Sequence, residues 1–176
     1  MKAVPQTDAE TMIADVAIEH ATSDTAVREV RSLFVEYAQS LSFSLDFQGF
    51  AEELDTLPSS YAPPKGRLLL AMLNGASAGC VALRPLEDGI CEMKRLYVRP
   101  EFRGQRFGGR SIGITLVIEL LKEAQRMGYK KMRLDTVSSM KRANALYKAL
   151  GFRQIEPYCF NPFDDAIFME LDLVSQ

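Results

Sequence analysis

The 176 residues predict one mixed α/β domain: a central, mostly antiparallel twisted sheet of about seven strands flanked by about four helices. Three observations carry this expectation. Two-residue turn signals, Asn74-Gly75 and Asp88-Gly89, link apolar strand-like runs in mid-chain into an antiparallel set. Stretches with helical spacing lie on both sides of that set. Strand and helix patterns also alternate in the second half of the chain, which mixes the two periods rather than segregating them.

Residues 1–13 are polar and read as a flexible lead-in, so the folded domain is expected over residues 14–176. Ala14 to Ala21 alternates as a strand, with Val16 and Ile18 on one face. Ser23 and Asp24 offer N-caps for a helix to about Leu41, whose Val27, Val30, Phe34, Tyr37 and Leu41 keep helical spacing. Phe47 to Leu57 predicts a shorter helix closed by Pro58, and the Pro- and Gly-containing stretch from Ser59 to Gly66 predicts a loop. Arg67 to Leu73, Ala76 to Arg84 and Ile90 to Val98 are the three mid-chain strands. A Gly-rich segment, Glu101 to Gly109, leads into an amphipathic helix with Ile112, Leu116, Leu120, Ala124 and Met127 on one face and Gly128 as its C-terminal cap. Lys130 to Thr136 follows as a strand, then a helix capped by Ser138 and Ser139 and ending at Leu150. Phe152 to Glu156 and Ala166 to Leu173 close the chain as strands around a loop rich in proline and aromatic residues.

Composition bounds the function. With 47% hydrophobic and 25% charged residues the chain has the profile of a globular protein. A net charge of -2 gives no global pull toward nucleic acid or an anionic membrane, so neither partner is expected and any anion site must be local. Cys80, Cys91 and Cys159 lack metal or redox spacing, and two lie in apolar runs as buried small hydrophobes do, so no metal is expected. Met1 to Ala14 lacks the apolar core of a secretory signal. The apolar stretch from Ile112 to Leu121 is interrupted by Thr115 and Glu119 and falls short of the ~20 residues that span a bilayer. A cytoplasmic protein is the expectation.

The chemistry concentrates between Ile90 and Met127. A helix start exposes unpaired backbone N–H groups and carries about half a positive charge, which suits an anion. Gly104, Gly108 and Gly109 would let main chain approach that anion closely, with Arg99, Arg103, Arg106 and Arg110 around it. A tight strand-to-helix turn with a solvated arginine face is the other reading. The segment lacks the Gly-Lys-Ser/Thr ending of a nucleotide-binding P-loop and the spacing of a dinucleotide fingerprint.

Leu96-Tyr97-Val98-Arg99-Pro100-Glu101-Phe102-Arg103-Gly104-Gln105-Arg106-Phe107-Gly108-Gly109 resembles the acyl-CoA motif of the GNAT N-acetyltransferase superfamily. That pattern is Arg or Gln, two residues, Gly, one residue, then Gly or Ala. Arg103 matches its first position and Gly108 its last, while Arg106 departs from it by standing in the first glycine slot. A second segment, Asn144-Ala145-Leu146-Tyr147-Lys148-Ala149-Leu150-Gly151-Phe152, resembles the family's helix-to-strand signature at the expected distance.

The resemblance implies an acetyl-CoA-dependent N-acetyltransferase acting on a primary amine of a small molecule or peptide, often as a homodimer. A catalytically silent acyl-CoA sensor is the alternative. It implies acetyl-CoA contacts from Leu96, Tyr97, Val98 and residues 103–109, with Asn144 at the pantetheine or phosphate end. It implies, too, a splay that admits the pantetheine arm between the strand ending at Val98 and the one spanning Lys130 to Thr136. Tyr147 is then the acid for the departing thiolate, and its other reading is a core aromatic. An amine of pKa ~10.4 needs roughly 4.6 kcal/mol to lose its proton at pH 7. Glu92 is the candidate base, placed by two-residue alternation on the side of Leu96 and Val98; pairing with Lys94 is its other reading. For the acceptor, Phe43, Phe47, Phe50, Tyr158, Phe160 and Phe163 are candidate walls or core, and Asp46, Asp135, Asp164 and Asp165 candidate carboxylates.

Overall fold

The computed structural model describes residues 16–174, so the lead-in over residues 1–13 lies outside the described residues. In chain order, β1 (Val16–His20) precedes α1 (Asp24–Ser40) and α2 (Phe50–Thr56). Then come β2 (Arg67–Leu73), β3 (Ala76–Glu87) and β4 (Ile90–Val98). A small hairpin of β5 (Arg106–Phe107) and β6 (Arg110–Ser111) leads into α3 (Ile112–Arg126). The chain finishes with β7 (Lys131–Val137), α4 (Lys141–Ala149), β8 (Arg153–Ile155) and β9 (Ala166–Asp172).

Seven strands form one sheet in the order β1-β2-β3-β4-β7-β9-β8, antiparallel throughout except for β4 beside β7. The turn signals explain the meander: Asn74 and Gly75 both adopt positive φ between β2 and β3. Leu33 and Phe34 of α1 pack with Leu70, Cys80 and Ala82 on one face. Leu116 and Leu120 of α3, with Tyr147 of α4, pack with Val81, Met93 and Leu134 on the other. Each fully buried leucine side chain in these layers stabilises the fold by about 1.5–3 kcal/mol. Ser23 caps α1 as expected, accepting from the Ala26 N–H at 3.2 Å.

The parallel pair is short. Ile90, Cys91 and Glu92 pair with Lys131, Met132 and Arg133, and there the ladder stops. Beyond that point β4 continues on β3 to Val98, while β7 continues on β9 to Val137. The two strands splay into a wedge.

Several sequence expectations are corrected. The helix expected from Phe47 to Leu57 is broken at Gly49, whose φ of 69° separates a 3-10 turn over Asp46–Gln48 from α2. Ser138 and Ser139 do not cap α4, which starts at Lys141 behind Met140. The Ser138 hydroxyl is drawn instead to the Asp165 carboxylate. Simple alternation also fails in β4. Cys80 pairs with Tyr97 and Ala82 with Lys94, so three residues of β4 span two of β3. This is a β-bulge, with Arg95 at φ 60°. The Arg95 guanidinium is held by Glu53, by the Gln48 carbonyl oxygen at 2.7 Å and over the Phe50 ring, which offsets the cost of that backbone. Met93 therefore packs with the α3 layer, as do Leu96 and Val98 after the bulge. Glu92, adjacent to Met93, lies on the opposite face from Leu96 and Val98.

Candidate active site

Two adjoining spaces fill the wedge. The larger is a groove of about 520 Å³ between the ends of β4, α3 and α4. Tyr97 and Val98 form its floor, Ser111, Ile112 and Gly113 one wall, and residues 139–143 with Leu146 the other. The second is a slot of about 40 Å³ running under the bulge between β4 and β7. Tyr37, Leu96 and Met140 line both, so the slot and the groove adjoin.

The groove suits an anion with an extended arm. Arg103, Lys141 and Arg142 line it, and among the described residues no carboxylate does. Two helices present their first turns to it. At α3, the Ser111 side chain accepts from the Ile114 N–H at 3.4 Å, which leaves the amides of Ile112 and Gly113 toward the groove. Past Glu92, the edge of β4 that faces β7 has no strand partner, and a ligand arm can pair with it as an added strand would.

The Gly-rich segment is organised differently from the sequence expectation. Gly108 and Gly109, at φ 55° and 82°, turn the β5–β6 hairpin rather than start the helix. Arg106 bonds across that hairpin to the Gly109 carbonyl at 3.2 Å, and Gln105 bonds back to the Glu101 carbonyl. Gln105, Arg106, Phe107, Gly108 and Gly109 do not line the groove; Leu96, Tyr97, Val98, Arg103 and Gly104 do. The Arg103 Nε donates to the Val98 carbonyl at 2.7 Å, and its guanidinium stands 5.5 Å from the Tyr97 ring centre. Arg99 is committed elsewhere, to Glu36 through both carboxylate oxygens and to the Ser77 carbonyl.

Ser111 and Gly113 were missed. Both are small and sit at the start of α3, where they line the groove. The preceding glycine pair drew the sequence reading away from them.

In the slot, Tyr147 is 7% exposed and burial pushes its phenol well above the usual range, so the hydroxyl keeps its proton. Asp135 is the carboxylate that lines the slot, beside Lys94 and Arg95. Its Oδ1 accepts from Lys94 Nζ at 3.0 Å and its Oδ2 from Asn161 at 3.1 Å and Gln48 at 3.4 Å. Burial pushes this carboxyl up, but Lys94 and Asn161 outweigh that and hold it below the usual range.

Glu92 lies outside the slot, 1% exposed, with both oxygens engaged. Arg84 Nε donates to one at 2.7 Å and the Tyr158 hydroxyl to the other at 2.9 Å, with Lys94 Nζ 3.8 Å away. Asn144 is likewise occupied, donating to the Val137 carbonyl and accepting from the Thr136 hydroxyl, both at 3.0 Å. It ties α4 to the end of β7. Of the acceptor candidates, Phe43 and Phe47 line the slot while Phe50 lies under Arg95 and Phe160 is exposed. Asp46, Asp164 and Asp165 are not part of its lining.

Glu92, Asp135 and Cys159 place ligand-type atoms within 4.8 Å of one another. Lys94 and Arg84 already balance the two carboxylates, and burial pushes the Cys159 thiol up to about 11, so it is not a thiolate at neutral pH.

A cationic groove beside a slot, at a strand splay and a helix start, is an arrangement that suits an anionic ligand with an extended arm. Comparison with known proteins agrees. Residues 27–152 match the model of the Acetyltransferase (GNAT) family. An uncharacterized N-acetyltransferase of Schizosaccharomyces pombe is 40% identical over 147 residues, covering 82% of this chain and 87% of the relative. A GNAT acetyltransferase structure from Staphylococcus aureus superposes with a TM-score of 0.73 at 19% identity, covering 90% of this chain and 99% of that one. PaiA N-acetyltransferase of Thermoplasma acidophilum, solved with coenzyme A, superposes at 0.68 with 18% identity and the same coverage. The chain belongs to the GNAT acetyltransferase family and is an acyltransferase. Among the described residues no helix is long and apolar enough to cross a membrane.

Proposed function

We propose that this acyltransferase moves an acetyl group from acetyl-CoA to a primary amine of a small molecule or peptide. The observation that carries the reading is the acid-free cationic groove adjoining a slot lined by Tyr147. The diphosphate meets the amides of Ile112 and Gly113 with Arg103 beside it, and the pantetheine arm runs along the free edge of β4. The PaiA structure with coenzyme A, of the same fold, supports acetyl-CoA as the donor.

The acceptor reaches the thioester from the side of the slot. Its nitrogen lone pair attacks the thioester carbon, the C–S bond breaks, the thiolate takes the Tyr147 proton, and the proton that the nitrogen sheds on becoming an amide restores the phenol. The neutral amine must first be available, at a cost of roughly 4.6 kcal/mol at pH 7 for an alkyl amine. Burial disfavours the ammonium there, while the Asp135 carboxylate, already paired with Lys94, offers the nitrogen an acceptor. Glu92 acts as a positioning charge that fixes Arg84, Tyr158 and Lys94, and the amine proton leaves to solvent. No metal enters the scheme, because the carboxylates nearest the slot already have cationic partners.

The test is thiol release from acetyl-CoA over a panel of amines, with the product identified by mass. Amine-dependent thiol release with a matching N-acetyl product is the expected result. Tight coenzyme A binding with no turnover on any amine would sink the reading and leave a silent acyl-CoA sensor.

A further inference from the structure

The slot is too small for an acceptor. At about 40 Å³ it holds a few waters. What fills the rest of the space is the loop between β8 and β9. Asn161 places an amide N–H on Asp135 Oδ2 at 3.1 Å. Two residues on, the Phe163 ring lies 4.7 Å from the Phe43 ring and 5.6 Å from that of Phe47, tilted at 55° and 82°. The Phe163 N–H bonds the Asn161 side-chain oxygen at 3.1 Å, which folds the tripeptide into one compact unit. One turn of the chain thus presents an N–H donor to the slot's carboxylate and an aromatic ring to its aromatic wall. The loop has little core of its own, with Phe160 at its tip 75% exposed.

Resting on the acetyl-transfer reading above, we propose that the Asn161–Phe163 turn is an internal occupant of the acceptor subsite, displaced by a primary amine whose carbon chain ends in an aromatic ring. An incoming ligand must replace what it removes. Asp135 needs a donor, and the amine nitrogen supplies it at the end of the slot that opens toward Tyr147 and Leu96. Phe43 and Phe47 need an edge or a face, and an arylalkyl group supplies that in the place Phe163 leaves. A straight aliphatic amine restores the first interaction alone. Gln48, whose longer bond to Asp135 spans 3.4 Å, is the second donor that gives way.

The test compares 2-phenylethylamine with n-hexylamine as acceptors, in the wild type and in Phe163→Ala. Because a self-occupied site lowers apparent affinity by its open fraction, Phe163→Ala should lower KM for phenylethylamine by about three- to tenfold. The KM for acetyl-CoA should stay the same. Asp135→Asn should raise KM for both amines. Should the alanine variant fail to fold, Phe163→Leu keeps bulk without a ring and carries the same expectation. Independently of turnover, phenylethylamine added to the coenzyme A-loaded protein should quicken amide exchange at Asn161 and Phe163. An unchanged or raised phenylethylamine KM in a folded Phe163 variant overturns the proposal, as does a wild-type preference for hexylamine. If no amine at all releases thiol, the acetyl-transfer reading falls by itself. The exchange experiment then decides the subsite, a silent loop overturning it and a responsive loop supporting it.

Discussion

Replacing Glu92 by Gln separates a structural charge from a general base. The carboxylate is 1% exposed and accepts from Arg84 at 2.7 Å and from Tyr158 at 2.9 Å. A neutral amide keeps the shape but loses charge assistance in both bonds, about 1 kcal/mol each. The amide nitrogen also has nothing to donate to where Arg84 stands. Arg84 is 37% exposed in its side chain and regains water, which limits the loss. The net cost is about 2–3 kcal/mol, which in a domain of this length lowers the melting temperature by about 5–10 °C. The measurement is thermal unfolding followed by circular dichroism at pH 7, with thiol release at 25 °C in parallel. Turnover in the folded fraction should fall by less than about tenfold, because a true general base contributes roughly 10²–10⁴-fold. A melting temperature unchanged within about 1 °C, together with a thousandfold loss of rate, would refute this reasoning and make Glu92 the base.

Because the amine proton leaves to solvent, log kcat/KM for the acceptor should rise with unit slope toward its own pKa, ~10.4 for an alkyl amine. A plateau near neutral pH would reveal a base on the enzyme. Tyr147→Phe should lower kcat by about 10²-fold with the KM for acetyl-CoA unchanged, and wild-type single-turnover thiol release would show another donor. A Cβ at Gly113 would stand 3.7 Å from Leu146 and 3.8 Å from Val98, so the helix accepts a side chain there but the groove does not. Gly113→Leu should weaken coenzyme A binding about a hundredfold by calorimetry, and more than Gly108→Val, which strains only the hairpin. Arg95→Gly relieves the left-handed backbone but strands Glu53, for a net loss of about 2–4 kcal/mol in denaturant unfolding; equal or greater stability would show that the bulge does not depend on the ion pair.

The sheet was legible because its signals are local. Asn74-Gly75 and Asp88-Gly89 fix the meander, and the helical stripes of α1 and α3 fix the layers, each within a window of a few turns. The site was legible only in outline. Tyr147 and the end of β4 were singled out through their motif, and both line the wedge. The register of the anion turn was not, because a two-residue glycine turn looks the same in sequence whether it closes a hairpin or opens a helix. The face of Glu92 was misread for a related reason. Alternation assumes a regular ladder, and the bulge at Arg95 is dictated by Glu53 and Gln48, more than forty residues upstream. Asp135 stood in the sequence as one of four candidate carboxylates, since its partners Lys94, Gln48 and Asn161 come from three distant segments.

That same bulge links the two halves of the site. An extra residue in one strand increases its twist, which turns β4 away from β7 beyond Glu92 and holds the wedge open. Gln48 bonds both ends of the arrangement: its oxygen accepts from Arg95 in the bulge, and its nitrogen donates to Asp135 across the slot. The segment between α1 and α2 therefore does not simply cover the acceptor side. A ligand that takes Gln48 from Asp135 removes a contact from the residue that braces Arg95, and Arg95 immediately precedes the stretch of β4 along which a pantetheine arm would lie. The proposed acceptor subsite and the bulge of β4 thus share one amide side chain, that of Gln48.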